Sequence, residues 1–466
     1  MKLHGNMVIE MIDDTTGEVV ERVQEENMVT NAINHILGLN PMGIFYNVSG
    51  QYDTHLVWND VMLPICPNMI GGILLYSEPL TEDVENVYPS TQKLPVAYAS
   101  NDVNATADTA RGSMNLTESK ALDNGYRFVW EFTPSQGNGT IAAVALTSKQ
   151  GGVAAYGSLE NSKAAFLQVM ETRLETQTAI ELGELFSAVE VDFEHNLLIN
   201  MQYQDSSFVI KKHKLPVFTL GLNDRLNDTT DTLLEEQVIH CNTFKFLGSY
   251  TPYGDFMDGH DGYWYGFANQ ANSSGNATMY WIKIKKDDYS MTEGVWTLSN
   301  AHLKAIGSFK IDTYAQRSIR GVIRNGYLYL TAYDDMGIYK INVNNPTDVT
   351  LIPFGFKSEG KSQTGSGTCA NYLFMVNDLI VGWDYQIKPD DTVVQTVGST
   401  RLLNIGTPIF QYKEFCFGWG GNYGSDYRMC FLLTPYLASI NNLASAVVKT
   451  TDKTMKITYE LTEEDA

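Results

Sequence analysis

The side chains most suited to chemistry in this sequence are acids on turns and aromatic rings close to them. Three aspartates and a histidine occur within eight residues, as Asp255, Asp258, His260 and Asp261. A calcium loop places its oxygen ligands at alternating positions, whereas these aspartates stand at the first, fourth and seventh positions. The spacing therefore favours a simple turn rich in Asp and Gly. Asp255, Asp258 and Asp261 are only secondary candidates for binding a metal. We expect no cofactor.

Carboxylates could also cleave a polysaccharide, because glycoside hydrolysis needs two of them about 5–10 Å apart. The aspartates on turns of the second half of the chain are Asp255, Asp258, Asp261, Asp334, Asp335, Asp384 and Asp426. Their spacing singles out no pair, and aspartates on turns commonly bind nearby backbone amides. G-x-S-x-G and H-E-x-x-H motifs are absent from the sequence, and we expect neither a phosphate-binding loop nor a dinucleotide-binding motif. We therefore assign no catalytic residue and predict that the protein is not an enzyme.

Aromatic residues concentrate in the same predicted loops. The candidates for stacking against a sugar ring are Tyr263, Trp264, Tyr265, Trp383, Trp419 and Tyr423. Sugars present apolar C–H faces that stack on aromatic rings, while neighbouring Asp and Asn bind the hydroxyls. Strand alternation places Tyr263 and Tyr265 on one face and Trp264 on the other, so some rings fill the core while others face solvent. Both a glycan-binding surface and simple gap filling are consistent with this pattern.

The net charge of the chain disfavours some classes of binding partner. The 466 residues include 32 basic and 54 acidic ones, a net charge of −22, which repels nucleic acid and anionic lipid surfaces. We therefore predict neither a nucleic-acid nor a membrane partner, and we expect no signal peptide or membrane span because no long apolar run occurs. The five widely spaced cysteines indicate free thiols of a protein made in a reducing cytoplasm.

The elements that position these residues are mostly strands. The N-terminal segment predicts a hairpin, with strands at 7–12 and 18–23 joined by an Asp/Thr/Gly turn, then a helix at 28–37. Alternation predicts a strand at 126–132, and a fully apolar run predicts a buried strand at 140–147. We interpret residues 1–184 as a β-rich, sandwich-like attachment domain.

The sequence pattern changes beyond residue 185. A unit of polar turn, aromatic-rich strand and further strand begins at His195, Asp261, Asn325, Asn377 and Lys413. Repeats of this size, each with about four short strands, are typical of propeller blades. We therefore predict a β-propeller of about five blades over residues 185–432.

The C-terminal segment, residues 433–466, has a different pattern. Pro435–Leu443 predicts a short helix or loop, and Thr454–Thr462 alternates as a strand. A lone strand at a chain end needs an edge to pair with. We expect it to pack on the N-terminal domain and so bring the termini together.

Three segments resemble a known family. They are G-N-M-V-I-E-M-I-D-D-T-T-G-E-V-V with E-N-M-V-T-N-A-I near the start, W-E-F-T-P-S-Q-G-N-G-T-I-A-A-V-A-L-T at 130–147, and L-T-P-Y-L-A-S-I-N-N-L through K-T-M-K-I-T-Y at 433–459. These resemble tail and baseplate proteins of phages and prophages of gut Firmicutes. They cover roughly a fifth of the chain and flank the propeller-like region, and the resemblance does not extend into that region.

The resemblance implies a protein of the virion tail, made in the bacterial cytoplasm, with other tail proteins as partners. We expect the propeller to be displayed for attachment to a glycan of the host surface, in a symmetric trimer or hexamer. One alternative is a polysaccharide depolymerase, a hydrolase or lyase on the same architecture. A second alternative is a purely structural baseplate or fibre-connector protein.

Overall fold

The computed structural model describes residues 3–38, 64–149, 167–174, 188–204, 206–214, 233–248, 254–306, 319–358, 371–382, 384–395, 408–422 and 426–463. Most of this part of the chain is extended, so the predicted mainly β fold is confirmed. Its two helices, α1 (Ala32–Gly38) and α2 (Ile65–Asn68), are short. Neither of these described helices has the length and hydrophobicity needed to cross a lipid bilayer.

Thirty-two strands follow one another along the described residues. The first eight are β1 (Leu3–Asp13), β2 (Val19–Val29), β3 (Gly72–Tyr76), β4 (Ala97–Ala99), β5 (Ser113–Met114), β6 (Lys120–Leu122), β7 (Gly125–Phe132) and β8 (Gly139–Thr147). The next nine are β9 (Leu167–Leu174), β10 (Ala188–Asp192), β11 (Leu197–Gln204), β12 (Ser207–Lys214), β13 (Leu233–His240), β14 (Asp255–Asp258), β15 (Tyr263–Asn269), β16 (Ala277–Lys285) and β17 (Met291–Leu298). Then come β18 (Ile319–Arg320), β19 (Val322–Arg324), β20 (Tyr327–Thr331), β21 (Gly337–Asn342), β22 (Val349–Pro353), β23 (Asn371–Tyr372), β24 (Phe374–Val376), β25 (Leu379–Val381), β26 (Tyr385–Ile387) and β27 (Val393–Gln395). The last are β28 (Pro408–Tyr412), β29 (Phe415–Asn422), β30 (Asp426–Leu433), β31 (Ser439–Lys449) and β32 (Lys453–Glu463).

Ten strands form one sheet to which both ends of the chain contribute; we call it the terminal sheet. Its order is β4–β3–β8–β31–β2–β1–β32–β7–β5, and β6 adds to β7. The first strand pairs with the last along its whole length, from Leu3 opposite Glu463 to Asp13 opposite Lys453. The predicted return of the C-terminal strand to the N-terminal domain is therefore confirmed.

The terminal sheet curls round its own core. Alternate residues of β1 and β32 are buried, namely Met7, Ile9, Met11, Met455, Ile457 and Tyr459. This alternation gives each strand one apolar face, directed inward. The two edges approach each other where Tyr98 bridges to Arg111 and where the Trp130 indole donates to the Ser100 carbonyl at 3.1 Å. The two layers of the predicted sandwich-like domain are thus opposite sides of one nearly closed sheet.

The elements predicted for the terminal sheet are confirmed, but the boundaries of some of them differ from the prediction. The hairpin forms as β1 and β2, with Gly17 in the left-handed region at φ 72°. The helix begins at Ala32, four residues later than predicted, because β2 continues to Val29 and pairs there with β31. The predicted strands β7 and β8 both form, and β8 is buried from Ile141 to Thr147. They pair with other strands, β7 with β32 and β8 with β3 and β31.

The prediction of a short helix or loop at Pro435–Leu443 is wrong in its second half. Residues 434–438 form a loop, but Ser439 begins β31. β31 pairs with β8 over Ser439–Asn442, and Ile440 is fully buried. Pairing with an available strand edge overrides the weak local preference of this segment.

Five four-stranded antiparallel sheets follow one another in the rest of the described chain. Blades 1 to 4 are each built from consecutive strands, β10–β13, β14–β17, β19–β22 and β24–β27. The composite blade has the order β28–β29–β30–β9. Each unit that the sequence repeat identified supplies the second strand of one of these sheets. The turns before those strands each hold a residue at positive φ, and these are Asn196, Gly262, Asn325, Asn377 and Lys413.

Neighbouring blades pack through their faces, as in a propeller. Phe208 of blade 1 lies 4.9 Å from Phe256 of blade 2 between ring centroids. Apolar clusters likewise join blade 2 to blade 3 and blade 3 to blade 4. The composite blade contacts blade 1, where Phe193 lies 4.6 Å from Tyr412 between ring centroids. This arrangement supports the predicted propeller-type fold.

The composite blade departs from the predicted domain boundary at residue 184. Its outer strand β9 precedes blade 1 in the chain, yet it pairs antiparallel with β30, from Leu167 opposite Leu433 to Leu174 opposite Tyr427. The chain therefore enters the propeller before it builds blade 1. This pairing ties the beginning of the propeller to its end.

A buried arginine joins blades 3 and 4. Arg324, at the end of β19, is 5% exposed. Its guanidinium donates to the carbonyl oxygens of Asp378 at 3.0 Å and Ile387 at 3.1 Å, and it contacts the Asp391 carboxylate at 3.0 Å. The planar fork of donors matches these three acceptors at once.

Substituting this arginine tests the junction. Arg324→Lys keeps the charge but removes the fork, so we expect the free energy of unfolding to fall by about 2 kcal/mol. Urea unfolding followed by tryptophan fluorescence measures the change. The control is Arg22→Lys, because Arg22 is 59% exposed and lies 3.6 Å from Glu10. We expect the control to change stability by less than about 0.5 kcal/mol, and equal losses in both variants would contradict the role of Arg324.

Candidate functional site

The predicted acidic turn lies at the junction of blades 1 and 2. Lys286, just after β16, places its ammonium 2.8 Å from the Glu190 carboxylate of β10 and 2.9 Å from the Asp258 carboxylate of β14. The Trp264 indole donates to Glu190 at 2.7 Å. His260 lies 3.1 Å from Asp258 and is the most exposed member, with 65% of its side chain accessible. We call these five residues the blade-junction cluster.

Tight turn geometry positions the cluster. Asp258 accepts the His260 backbone amide at 2.9 Å, and His260 has φ 55°. The Lys286 amide donates to the Gly262 carbonyl at 3.0 Å, which holds the end of β16 against the turn. Aspartate and glycine favour such turns because Asp binds the backbone and Gly accepts positive φ. The local sequence therefore determines the turn itself.

The hydrogen bonds of the cluster favour the charged forms of Asp258, His260 and Lys286. Burial alone would raise the pKa of Asp258, but hydrogen bonds from His260 and Lys286 outweigh it and lower that pKa to about 2. The same hydrogen bond to Asp258 raises the pKa of His260. Burial opposes the charge of Lys286, yet its two carboxylate partners raise its pKa. The cluster is thus a compact set of ion pairs in which His260 is the solvent-exposed member.

The three aspartates considered for a metal do not converge. Asp258 is engaged by Lys286, and Asp261 accepts the Tyr265 hydroxyl at 2.7 Å. Asp255 accepts the amide of Phe256 at 2.9 Å. Among the residues that the structure describes, no three His, Cys, Asp or Glu side chains are grouped so that they could hold a metal ion.

The predicted alternation of the aromatic residues is confirmed. Trp264 packs in the cluster between blades 1 and 2, whereas Tyr263 and Tyr265 pack on the side of blade 3. Trp264 and Tyr265 are each 1% exposed, so they cannot stack on a sugar and are corrected to core residues. Tyr263 is half-buried, with the Lys283 ammonium 4.1 Å from its ring centroid. Among the six aromatic candidates, Trp383, Tyr423 and the side chain of Trp419 lie outside the described residues.

The other turn aspartates have separate partners. Asp334 accepts the Met336 amide at 3.0 Å, and Asp335 lies 2.5 Å from the Lys304 ammonium. Asp384 is buried and accepts the Ser358 hydroxyl. The side chain of Asp426, in β30, lies outside the described part of the chain. Ser358 links Asp335 to Asp384, because its backbone amide also donates to the Asp335 carbonyl at 2.8 Å.

Glu190 and Lys286 were not among the candidates that the sequence suggested, and they stand 96 residues apart on different blades. No local pattern marks either residue, because the contact exists only once the blades pack.

A motif at 355–362, G-F-K-S-E-G-K-S, was also overlooked in the sequence. Its spacing matches a phosphate-binding loop. Such a loop follows a strand of a parallel sheet, whereas the strand before it here is the outermost one of an antiparallel blade. The described half of the match, residues 355–358, therefore gives no support for a phosphate site.

A second carboxylate–histidine contact is buried between helix α1 and the composite blade. The Glu414 side chain is fully buried, and its carboxylate lies 3.0 Å from Nδ1 of His35, which is 20% exposed. Burial raises the pKa of Glu414, and the hydrogen bond with His35 opposes this rise. Cys416 lies nearby as a buried free thiol whose pKa is raised by burial. The described free thiols Cys66 and Cys241 have pKa values raised to about 12 by burial, so they are inert as nucleophiles.

Comparisons with known proteins do not establish a family. No family model matches the chain, and no curated protein matches it. Among solved structures, the CNH domain of AfRom2 is similar at 9% identity over 67% of this chain and 93% of its own, with a TM-score of 0.21. Apo AztD from Citrobacter koseri is similar at 8% identity over 92% of this chain and 99% of its own, with a TM-score of 0.13. Likenesses at this level carry no argument about function.

Proposed function

We propose that the chain is a structural protein of a phage tail whose propeller attaches to a glycan on the bacterial host surface. The observation that carries the proposal is topological. Both chain ends pair in the terminal sheet, and all the blades lie in the chain between β8 and β31 of that sheet. This connectivity suits a fixed platform that displays one inserted module. Repetition round a tail as a trimer or hexamer would add avidity to weak single contacts.

The solvent-exposed part of the blade-junction cluster, at His260, has the chemistry needed to bind a sugar. His260 and Asp261 are exposed on the turn that immediately precedes the half-buried Tyr263. An aromatic ring can contact the C–H face of a sugar, while the imidazole and carboxylate bind its hydroxyls. The acidic surface of the chain, at net charge −22, disfavours an anionic polymer and favours a neutral or cationic one.

One observation favours the depolymerase as a second candidate. Because Glu190 and Asp258 each lie under 3 Å from the Lys286 nitrogen, their carboxylates are within about 6 Å of each other. This upper limit is compatible with the separation of about 5–5.5 Å between the two carboxyl groups of a retaining glycosidase. Such an enzyme needs one carboxyl group protonated near neutral pH, however, and Lys286 lies between these two. We therefore favour binding over cleavage.

The test is a cell-surface and polysaccharide pull-down with the full-length chain, run beside an assay of reducing-sugar release. The probes are whole cells of gut Firmicutes and polysaccharide extracted from them. We expect binding without release, and Tyr263→Ala should weaken it about tenfold. Tyr333→Ala is the control, because Tyr333 is an exposed ring, 46% accessible, on a turn of blade 3.

Each other outcome has a defined meaning. Sugar release that Asp258→Asn abolishes would replace attachment by the depolymerase. Absence of both binding and release would overturn both functions and support the purely structural alternative.

A further inference from the structure

The terminal sheet is split between β2 and β31. β2 pairs with β1 from Val19 to Asn27, but it pairs with β31 only through Met28 and Val29. Beyond that point β31 also loses its register with β8 between Asn442 and Val447. Among the residues that the structure describes, no strand pairs with the outer edge of β2 from residue 19 to residue 27. Half of the backbone N–H and C=O groups of this segment therefore face away from β1 without a ladder partner.

Exposed apolar side chains lie at the unpaired end of β2 and β31. Val19 is 50% exposed, Val20 is 53% exposed and Val448 is 51% exposed. If the register of Met28 with Ile440 continued, Val448 would stand opposite Val20. β2 and β31 thus have matching apolar side chains along facing edges. They nevertheless do not pair with each other as strands in this region.

One face of the free edge carries two acids. Glu21, Val23 and Glu25 stand opposite Met11, Ile9 and Met7 in register, so they share the core side of the sheet. Glu21 is exposed and Glu25 is half-buried. Neither glutamate has a Lys, Arg or His side chain within ion-pair distance among the described residues. In the described structure, hydrogen bonds cross the split only at its closed end: the Ala444 amide donates to the Glu25 carboxylate at 3.3 Å, and the Asn441 side chain donates to the Glu26 carbonyl at 3.3 Å and to the Asn27 side chain.

We propose that the free edge of β2 binds an extended, basic segment of another tail protein as an added strand. Residues opposite each other in a sheet lie on one face. The segment would therefore place basic residues across from Glu21 and Glu25 and an apolar residue across from Val23. Its pattern is basic-x-apolar-x-basic. The binding mode is strand addition, in which backbone bonds provide affinity and alternate side chains provide specificity.

A second copy of this chain is a poorer occupant. Antiparallel pairing of two β2 strands about Val23 would set Glu21 of each copy opposite Glu25 of the other. Like charges directly opposite each other destabilise a sheet. The net charge of −22 adds further repulsion between copies. Charge complementarity therefore selects a basic partner.

The experiment measures fluorescence anisotropy of a labelled peptide with the core Lys-Thr-Val-Thr-Lys as it binds the full-length chain at low salt. We expect Glu21→Lys and Glu25→Lys each to weaken binding about tenfold. The matched control is Glu26→Lys, which makes the same charge change on the opposite face of β2, where Glu26 stands across from Asn6. We expect this control to change binding less than about twofold.

Two N-methylated peptides separate strand addition from charge attraction alone. One is methylated at the Lys and Val positions and the other at the Thr positions. Alternate backbone amides of a strand point to opposite sides, so only one of the two peptides should lose binding. Retention of binding by both peptides, or equal losses in the Glu21 and Glu26 variants, would overturn the proposal. So would failure of the unmodified peptide to bind, since the acids would then serve only to protect the edge.

This inference rests on the proposed tail role, but its test separates the two. Glu21→Lys should leave cell-surface binding unchanged, because it lies on the terminal sheet and not on the propeller. Peptide binding without cell binding would overturn host attachment alone. Cell binding without peptide binding would overturn strand addition alone.

Discussion

Glu171→Cys will form an intramolecular disulfide with the native Cys430 under mild oxidation. The two positions are paired in register across β9 and β30. Paired Cα atoms in an antiparallel sheet lie about 4.5–5.5 Å apart, within the range that a disulfide spans. Because the bond closes a very long loop, we expect it to stabilise the chain by about 3–5 kcal/mol. The measurements are electrophoresis without reductant and a thermal scan with and without reductant.

The matched control for this cross-link is the neighbouring residue. Thr172→Cys stands opposite Met429 and is therefore one register position away from the pair with Cys430. It should therefore form no bond with Cys430. A cross-link in the Thr172 variant without one in the Glu171 variant would show that the register of β9 is different.

The cross-link matters because β9 connects the start of the propeller to its end. A segment that begins at residue 185 lacks β9 and leaves the edge of β30 unpaired. Unpaired edges promote aggregation. Binding experiments on the propeller are therefore designed with the full chain.

His35→Ala will be the most destabilising single substitution at the contact between helix α1 and the composite blade. It removes the partner of the fully buried Glu414 carboxylate. An uncompensated buried charge costs about 3–5 kcal/mol. Urea unfolding measures the loss, and the double variant His35→Ala with Glu414→Gln should recover part of it because the amide carries no charge.

The effect of His35→Ala will depend on pH with a defined sign. Burial raises the pKa of Glu414 above the ordinary value of a glutamate. A carboxyl group with a raised folded pKa contributes most stability below its unfolded pKa and loses it as pH rises through the folded pKa. The destabilisation should therefore be small near pH 4 and should grow towards pH 8. A loss that is the same at all these pH values would indicate lost packing in place of an unpaired charge.

The sequence alone determined the features that rest on short-range periodicity. Alternation places Tyr263 and Tyr265 on one face and Trp264 on the other whatever the strand pairs with. Turn residues such as Asn196 and Asn325 mark the hairpins of the blades because positive φ is a local requirement. These two signals were enough to predict a mainly β chain and a propeller-type repeat.

Tertiary structure alone decided which strand edges meet and which charges pair. The sequence of β9 does not show that it pairs with β30, and β31 becomes a strand because β8 offers it an edge. Glu190 and Lys286 form an ion pair only because blades 1 and 2 pack face to face. Such contacts depend on the edges and surfaces left free after the chain has collapsed. Residues far apart in sequence carry no local signal of that choice, so the blade-junction cluster could not be predicted.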